Sequence, residues 1–336
     1  SGSACRGSVP VTGSLRDKMR AVYGPRGAED IATHLSASYG VEVSGTEPLD
    51  NGVFRVERAD QEDWVARVFL PERGEARVRH DADLLRTLEN EGLPAERLAA
   101  EEPVTLMGDR PVLVTRFIPG KNPGKSKRDL VAVADTLGRL LTLAPPSTDP
   151  GGSLHHVPGY EGLPSEDLRL AADLLDDLDP ADVGKGREVF AALREVVEGA
   201  DDLSDLPRGL VHPDPAAVNQ ILSADKTVQL IDWSGAGVGP RLYSIAQVLD
   251  QSATAKGHDR TKLAAAVAAF SAHVTLTEDE VTRLGAASRI RILWLAAWNL
   301  WVKVVRGKPL EGTEWWLLRA VHMPAGTAPE IVDAFQ

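Results

Sequence analysis

Three oxygen-bearing side chains lie at a spacing that suits metal and phosphate chemistry. Asp214 and Asn219 occur in the stretch "LVHPDPAAVNQIL", and Asp232 follows in "LIDW". A polar turn, "SADKT", separates two short apolar runs between Asn219 and Asp232, which predicts a hairpin that brings these two side chains close together. A carboxylate beside a carboxamide is hard-oxygen ligation of the kind that suits Mg²⁺, and a further carboxylate could orient a hydroxyl acceptor. Together these parts fit phosphoryl transfer.

The same residues have a simpler interpretation as a polar turn between strands. Asp214 could cap a turn, and Asn219 could form an Asx turn where the next strand begins. This interpretation requires that Asp214, Asn219 and Asp232 all occur at this spacing by coincidence, so we favour the functional interpretation.

The elements that must position this loop change in type along the chain. Before about residue 118, β-rich runs such as "DWVARVFL" alternate with polar turns, and Asp50-Asn51-Gly52 is a strong hairpin signal. From about Ser126 onward, apolar residues recur at helical spacing, as in "KRDLVAVADTLGRLLTL". The convincing strands in this second part surround the loop: "GLVH", "NQIL" and "TVQLID". The sequence therefore predicts an α+β fold, with a small β-rich segment before a larger helical one.

Composition and charge limit the classes of partner. The chain has 336 residues and a formal net charge of −12, and such an acidic protein repels the phosphate backbone of nucleic acid. The acidity would suit a cationic small-molecule substrate, although solvated acidic helices explain it more simply. The most apolar run, residues 292–305, is too short and too interrupted by Asn299 and Lys303 to span a bilayer. We therefore expect neither a nucleic-acid partner nor a membrane.

The first residues and the cysteine usage bear on compartment. Residues 1–26 are rich in Gly, Ser and Arg, are expected to be loose, and contain no apolar segment of signal-peptide length. The single cysteine, Cys5, excludes a disulfide within the chain. Both observations favour a reducing, cytoplasmic compartment.

At the loop residues the sequence resembles the aminoglycoside phosphotransferase and choline kinase-like family, whose members are distant relatives of protein kinases. Members carry His-Gly-Asp, then Asn after four residues, and later Ile-Asp followed by Trp or Phe. Here His212, Asp214, Asn219 and the tripeptide at 231–233 follow that pattern. The resemblance implies a two-lobed protein-kinase-like fold, with a β-rich nucleotide-binding lobe at residues 27–118 and a helical catalytic and acceptor-binding lobe at residues 119–336.

The resemblance also implies a reaction and its participants. The protein would move the γ-phosphate of ATP or GTP, with Mg²⁺, onto a hydroxyl of a small molecule. The acceptor would be an aminoglycoside or macrolide antibiotic, or a secondary-metabolite intermediate. A nucleotide- or ligand-binding pseudokinase without turnover is the alternative.

Roles carry over only to the residues that match the family pattern. Asp214 would be the catalytic base, which orients the acceptor hydroxyl and accepts its proton. Asn219 and Asp232 would hold the metal. His212 and Ser244 would support the catalytic loop.

Upstream residues match the family's nucleotide-binding elements less closely. Arg67, in "WVAR", takes the place of the kinase lysine that contacts the α- and β-phosphates. Asp81 is the best match to the helix-borne glutamate that would pair with it, and Asp83 is the competing choice. Asn51 and Gly52 would lie over the nucleotide, although a plain hairpin turn explains them as well. The hinge whose backbone binds the purine edge would lie at Thr115, Arg116, Phe117 and Ile118.

The surroundings of the loop depart from the family pattern. Pro213 replaces the usual glycine, which fixes φ and removes an N–H donor beside the catalytic aspartate, and Pro215 stiffens the other side. Ser244 stands where the family often has a second aspartate. The acidic brace of the loop would therefore be replaced by this hydroxyl or by Arg241.

A row of tryptophans follows the loop at helical spacing. Trp294, Trp298 and Trp301 would share one face of a helix. We favour core packing for this row and keep an aromatic wall for the acceptor as the alternative.

Overall fold

The fold is described from a computed structural model, which gives residues 14–16, 19, 30–59, 61–153, 157, 160, 162–181, 183, 187–308 and 314–336, with the backbone alone at 314–316. The chain divides into two compact units: unit 1 is Ser1–Pro119 with His156–Gly159, and unit 2 is Gly120–His155 with Tyr160–Gln336. The expected loose segment at residues 1–26 lies almost wholly outside the described residues.

Unit 1 is built around one antiparallel sheet with the strand order β1-β2-β3-β5-β4. Buried and half-buried residues alternate along β3, which is the pattern of a strand with one face on the core. Burying a side chain such as Phe54 or Val68 contributes about 2 kcal/mol of stability. The elements in chain order are α1 (Ile31–Tyr39), β1 (Val43–Asp50), β2 (Val53–Arg58), β3 (Trp64–Val68), α2 (Glu75–Asn90), β4 (Val104–Met107) and β5 (Arg110–Arg116).

The hairpin predicted at Asp50-Asn51-Gly52 is confirmed. Asp50 pairs with Val53, so the turn between β1 and β2 consists of Asn51 and Gly52. Gly52 has a φ of 76°, a conformation that a side chain would disfavour. Hairpin chemistry thus explains this glycine without any ligand.

Unit 2 combines helices with short strand pairs. Its described strands form three small sheets, β6-β8-β9, β10-β7 and β11-β12. The bounds are β6 (Gly120–Lys121), α3 (Lys127–Leu140), α4 (Pro164–Asp176), α5 (Arg187–Glu198), β7 (Arg208–Val211), β8 (Gln220–Ser223), β9 (Val228–Leu230), β10 (Gly237–Pro240), α6 (Tyr243–Asp250), β11 (Ala253–Thr254), β12 (Gly257–His258), α7 (Arg260–Ser271), α8 (Glu278–Thr282), α9 (Leu284–Val305), α10 (Glu314–His322) and α11 (Pro329–Phe335).

The long helix α9 passes through the middle of unit 2. It packs against α4, α6 and α10, and most of its side chains are buried. Across the described residues, no helix combines the length and the apolar character needed to cross a bilayer. The predicted α+β order, strands first and helices second, is confirmed.

Candidate active site

The loop that carries Asp214 begins directly after a buried strand end. β7 ends at Val211, and His212 is wholly buried. The Ser244 hydroxyl, on α6, donates to the His212 carbonyl at 2.8 Å and accepts from the His212 N–H at 3.0 Å. Arg241 instead pairs with the buried Glu280 at 2.6 Å. Of the two replacements for the acidic brace, the geometry therefore favours the hydroxyl.

The imidazole of His212 links the loop to the following hairpin. Its Nδ1 accepts the Asp214 N–H at 3.1 Å, and its Nε2 lies 3.1 Å from the Ile231 carbonyl. These partners fit the neutral tautomer with the proton on Nε2, because a carbonyl can only accept. The ring also packs edge-on against Trp233, with centroids 4.5 Å apart. His212 thereby fixes the backbone of Asp214 relative to the residue that precedes Asp232.

Three glutamine side chains bind the carbonyls of the two unexpected prolines. Gln247 donates to the Pro213 carbonyl at 3.2 Å, and Gln220 and Gln251 donate to the Pro215 carbonyl at 2.7 and 3.3 Å. A proline offers a carbonyl but no N–H, so amide donors are the partners that it can use. The rigid loop is held in this way from β8 and from the end of α6.

The carboxylate of Asp214 is held by an arginine that sequence reasoning missed. The Nε of Arg291 donates to Oδ1 at 2.9 Å and its Nη2 donates to Oδ2 at 3.1 Å, which makes a bidentate ion pair. The two side chains are 21% and 19% exposed, so the pair is largely withdrawn from water. The available signal was a charged residue inside the apolar run "RIRILWL", because a cation in such a helix needs a partner.

Asn219 and Asp232 are brought together by the hairpin of β8 and β9. The Ile231 N–H donates to the main-chain carbonyl of Asn219 at 3.0 Å, and Asp232 is the next residue after Ile231. The Asn219 amide nitrogen donates to the Asp214 carbonyl at 2.9 Å, which leaves its amide oxygen as the group that could bind a cation. Asp232 has a φ of 64°, a left-handed conformation that is uncommon for a non-glycine residue.

The donors of this pair fit a magnesium ion. Within the described part of the chain, no three His, Cys, Asp or Glu side chains form a metal cluster. A magnesium site in a phosphoryl-transfer enzyme needs fewer protein ligands, because water and substrate phosphates complete the octahedron. One carboxylate oxygen from Asp232 and one amide oxygen from Asn219 are ligands of the required hard type.

Arg67 lies on β3 of unit 1, and its observed acidic partner is not the predicted one. The Nη2 of Arg67 lies 4.0 Å from Oε2 of Glu96, and both side chains are buried or nearly so. Glu96 also accepts from the Thr115 hydroxyl at 3.3 Å. Glu96 follows α2 in a stretch without helical or strand periodicity, so no local pattern pointed to it.

The expected ion pair between Asp81 and Arg67 is wrong. The carboxylate of Asp81 binds Arg73 at 2.5 Å, and both of these side chains are buried. Asp83, the competing choice, pairs with Arg86 on the exposed side of α2. The helix phase therefore directs Asp81 towards the short turn Pro71–Arg73 rather than towards β3.

The expected hinge residues lie at the end of β5. Thr115 and Arg116 are the last residues of that strand, and the Phe117 N–H donates to the Asp63 carbonyl at 2.9 Å. The guanidinium of Arg55 lies over the Phe117 ring at 4.4 Å. This end of the strand is thus anchored within unit 1 by backbone and side-chain contacts.

A cavity of about 630 Å³ lies within unit 2, close to Asp214. Arg291 and Ala216 line it; Arg291 pairs with the Asp214 carboxylate, and the Ala216 N–H donates to the same carboxylate at 3.3 Å. Such a volume is in the range of small-molecule sites. The other described lining residues are Lys125, Gln247, Asp250, Gln251, Ala253, Thr254, Ala255, Ser288, Ile292, Arg319 and Met323.

The tryptophan row belongs to the core and not to this cavity. Trp294 stacks on Trp298 and Trp298 on Trp301, with centroids 6.0 and 5.7 Å apart. Trp294 and Trp301 are buried, and the Trp301 N–H donates to Asp177 at 2.9 Å. Core packing, the interpretation that we favoured, agrees with these contacts.

Comparison with known proteins gives a family match over most of the chain. The model of the phosphotransferase enzyme family matches residues 46–279. A homoserine kinase from Granulibacter bethesdensis is 30% identical over 197 residues, which are 56% of this chain and 59% of that protein. The chain therefore matches about three fifths of the length of this curated relative.

Solved structures with a similar fold include several small-molecule kinases. The chain is similar to the choline kinase LicA from Streptococcus pneumoniae, with 16% identity, coverage of 87% of this chain and 96% of that one, and a TM-score of 0.56. For the spectinomycin phosphotransferase APH(9)-Ia, the identity is 14%, the match covers 93% of this chain and 98% of that one, and the TM-score is 0.61. For the amicoumacin kinase hAmiN, solved with AMP-PNP and Ca²⁺, the identity is 13%, the match covers 91% of this chain and 95% of that one, and the TM-score is 0.63. These similarities confirm the kinase-like fold.

Proposed function

Because the chain belongs to the phosphotransferase enzyme family, we propose that it is a small-molecule kinase that moves the γ-phosphate of ATP or GTP, with Mg²⁺, onto a hydroxyl group. A nucleoside triphosphate as donor favours a cytoplasmic location.

One observation supports the proposal: Asn219 joins the loop of Asp214 to the hairpin that ends before Asp232. The side-chain amide nitrogen of Asn219 donates to the main-chain carbonyl of Asp214. The main-chain carbonyl of Asn219 accepts from the N–H of Ile231, the residue before Asp232. A hydroxyl-orienting carboxylate next to a carboxamide and a second carboxylate is the set of groups that phosphoryl transfer needs. A polar turn would not need the buried His212 and the three glutamines that hold this loop.

The residues of the chain divide the chemical step among them. Asp214 orients the acceptor hydroxyl and accepts its proton while the hydroxyl oxygen bonds to the γ-phosphorus and the bond to the departing nucleoside diphosphate breaks. Asn219 and Asp232 would hold Mg²⁺, which neutralises phosphate charge when bound. Ser244 and His212 keep the backbone of Asp214 in place.

For the nucleotide, we assign residues of unit 1. Arg67, held near Glu96, would contact the phosphates, since a guanidinium binds phosphate oxygens bidentately. Asn51 and Gly52 would lie over the nucleotide, and the backbone of Thr115, Arg116, Phe117 and Ile118 would bind the base. Asp81 is not included, because its carboxylate binds Arg73.

The experiment is an assay of nucleoside diphosphate release with ATP or GTP, Mg²⁺ and a panel of hydroxylated acceptors. Homoserine, choline, spectinomycin and amicoumacin enter the panel because they are named for the similar proteins, and aminoglycosides and macrolides represent the antibiotic classes. We expect acceptor-stimulated diphosphate release with the wild type and its loss in Asp214→Asn. Unchanged turnover in that variant would exclude Asp214 as the base.

Nucleotide binding without turnover is a second candidate with one observation in its favour. Both oxygens of Asp214 already accept from Arg291, so the base has a partner before any acceptor arrives. A pseudokinase would bind nucleotide and show no diphosphate release with any acceptor. Acceptor-stimulated release by the wild type would exclude it.

A further inference from the structure

The cavity of unit 2 has an unusual charge for so acidic a protein. Among the described residues, its wall carries three cationic side chains, Lys125, Arg291 and Arg319, against one carboxylate, Asp250. The whole chain has a formal net charge of −12, so the positive charge of this wall is opposite in sign to the net charge of the protein. Local charge, not the net charge, decides which ligand a concave site attracts.

The two described carboxylates nearest the cavity, Asp250 and Asp214, are already engaged by arginines. Asp250 accepts from Arg319 at 2.7 Å, and Asp214 accepts from Arg291 at 2.9 and 3.1 Å. Lys125 makes no ion pair with any described residue, so its positive charge is not balanced by either of these carboxylates. A polycationic acceptor would meet this positive charge, and the described part of the wall offers no unengaged carboxylate to bind its ammonium groups.

A buried polar atom on the same wall points to a ligand. Gln247 is 6% exposed, and its Oε1 has no hydrogen-bond partner among the described residues, while its Nε2 binds the Pro213 carbonyl. A buried carbonyl oxygen without a donor is costly, and a bound molecule with an N–H or O–H group would satisfy it. Gln247 is thus placed to bind a donor group of the acceptor.

We propose that this cavity binds the acceptor and that the acceptor is a hydroxyl compound that carries a carboxylate. The proposal rests on the kinase function proposed above. The carboxylate faces the cationic wall with Lys125, a donor group of the acceptor binds Oε1 of Gln247, and the hydroxyl reaches Asp214. The hydroxyl oxygen takes the γ-phosphoryl group, the hydroxyl proton passes to Asp214, and the nucleoside diphosphate leaves.

The test compares matched acceptors on the full chain. Hydroxy amino acids and hydroxy carboxylic acids are each paired with their primary amide, and a polyamine aminoglycoside is added. Binding is measured by thermal shift and calorimetry, with and without nucleoside diphosphate and Mg²⁺, so that the acceptor arm does not depend on turnover. Nucleotide binding and diphosphate release are recorded separately and test the kinase function alone.

We expect one or more of the carboxylates to bind at least about tenfold more tightly than their amides, because a charge-assisted contact is lost in the amide. Lys125→Gln should remove most of this preference by raising the dissociation constant of the carboxylate. Lys127→Gln, the same change two residues away and outside the cavity lining, should leave it intact. Lys125→Glu should reverse the preference towards compounds with an ammonium group.

The proposal is overturned if no carboxylate binds better than its amide, if the aminoglycoside binds more tightly, or if Lys125→Gln and Lys127→Gln behave alike. Failure of nucleotide binding with a retained carboxylate preference would instead overturn the kinase function and leave the ligand class standing.

Discussion

The ion pair between Arg291 and Asp214 allows a prediction with a calculable size. Two unit charges about 4 Å apart attract each other by about 4 kcal/mol at an effective dielectric constant of about 20. Withdrawing both groups from water offsets part of this gain, which leaves a coupling free energy of about 2 kcal/mol. The pair is bidentate and about four-fifths buried, so solvent screening is modest.

A double-mutant cycle measures this coupling directly. Arg291→Leu, Asp214→Asn and the double variant are unfolded with urea, and the free energies of unfolding are compared. Arg291→Leu alone should destabilise the protein, because it leaves the Asp214 carboxylate partly buried without a counter-charge. The double variant should lose about 2 kcal/mol less than the sum of the single variants.

The same variants test whether Arg291 acts on turnover by positioning the Asp214 carboxylate. Turnover in Arg291→Leu should fall by about a hundredfold, because Asp214, the proposed base, is no longer held in orientation. Arg291→Lys should restore little, because an ammonium cannot bind both carboxylate oxygens in the same geometry. In the Asp214→Asn background, Arg291→Leu should reduce turnover no further.

Arg289→Leu is the matched control. It removes the same charge from the same helix, and its guanidinium bonds to the Ala320 carbonyl instead of to a carboxylate. A coupling free energy between Arg291 and Asp214 below about 0.5 kcal/mol, or one no larger than that between Arg289 and Asp214, would refute the reasoning.

Three further predictions concern the base, the metal and pH. Asp214→Asn should lower turnover by about 10²–10⁴-fold with little change in nucleotide affinity, since an amide cannot accept the hydroxyl proton; diphosphate release and nucleotide titration measure the two quantities. Asp232→Asn should raise the Mg²⁺ concentration that gives half-maximal turnover by about tenfold or more, since a charged ligand is lost; a Mg²⁺ titration measures it. Burial raises the pKa of Glu280, but the bonds from Arg241 and Thr277 outweigh this effect and hold that pKa below its ordinary value of 4.5. The stability that Glu280 contributes should therefore be complete above pH 4.5 and disappear as the pH falls through the lowered pKa, as urea unfolding of wild type and Glu280→Gln would show.

Each of these predictions has an outcome that contradicts it. A large loss of nucleotide affinity in Asp214→Asn would indicate a structural defect rather than a lost base. An unchanged Mg²⁺ requirement in Asp232→Asn would remove that residue from the metal site. A difference between wild type and Glu280→Gln that grows as the solution becomes more acidic would reverse the sign assigned to the Glu280 pKa.

The parts of the site that local sequence could predict are those within one loop and one hairpin. Asn219 and Asp232 were expected to meet because a turn signal lies midway between them, and the backbone bond between Asn219 and Ile231 agrees. Likewise, Asn51 and Gly52 predicted their own turn. In these cases the interaction is encoded by neighbours in sequence.

The parts that could not be predicted depend on packing between distant segments. Arg291 reaches Asp214 across 77 positions, and its partner is fixed by how α9 lies beside the loop. Asp81 was assigned to Arg67 by analogy, but the rotation of α2 directs it to Arg73. Periodicity gives the buried face of a helix but not which charge on that face meets which partner.

The left-handed backbone of Asp232 separates the demands of the reaction from those of the fold. Glycine adopts a φ of 64° without the steric penalty of a side chain, so Asp232→Gly should unfold at a higher urea concentration than Asp232→Ala, which lacks the same carboxylate. Asp232→Gly would also lack the proposed metal ligand, so its turnover should be low. If both results are found, the backbone at this position favours glycine while the reaction requires a carboxylate, and a redesign of this chain guided by backbone strain alone would remove activity at Asp232.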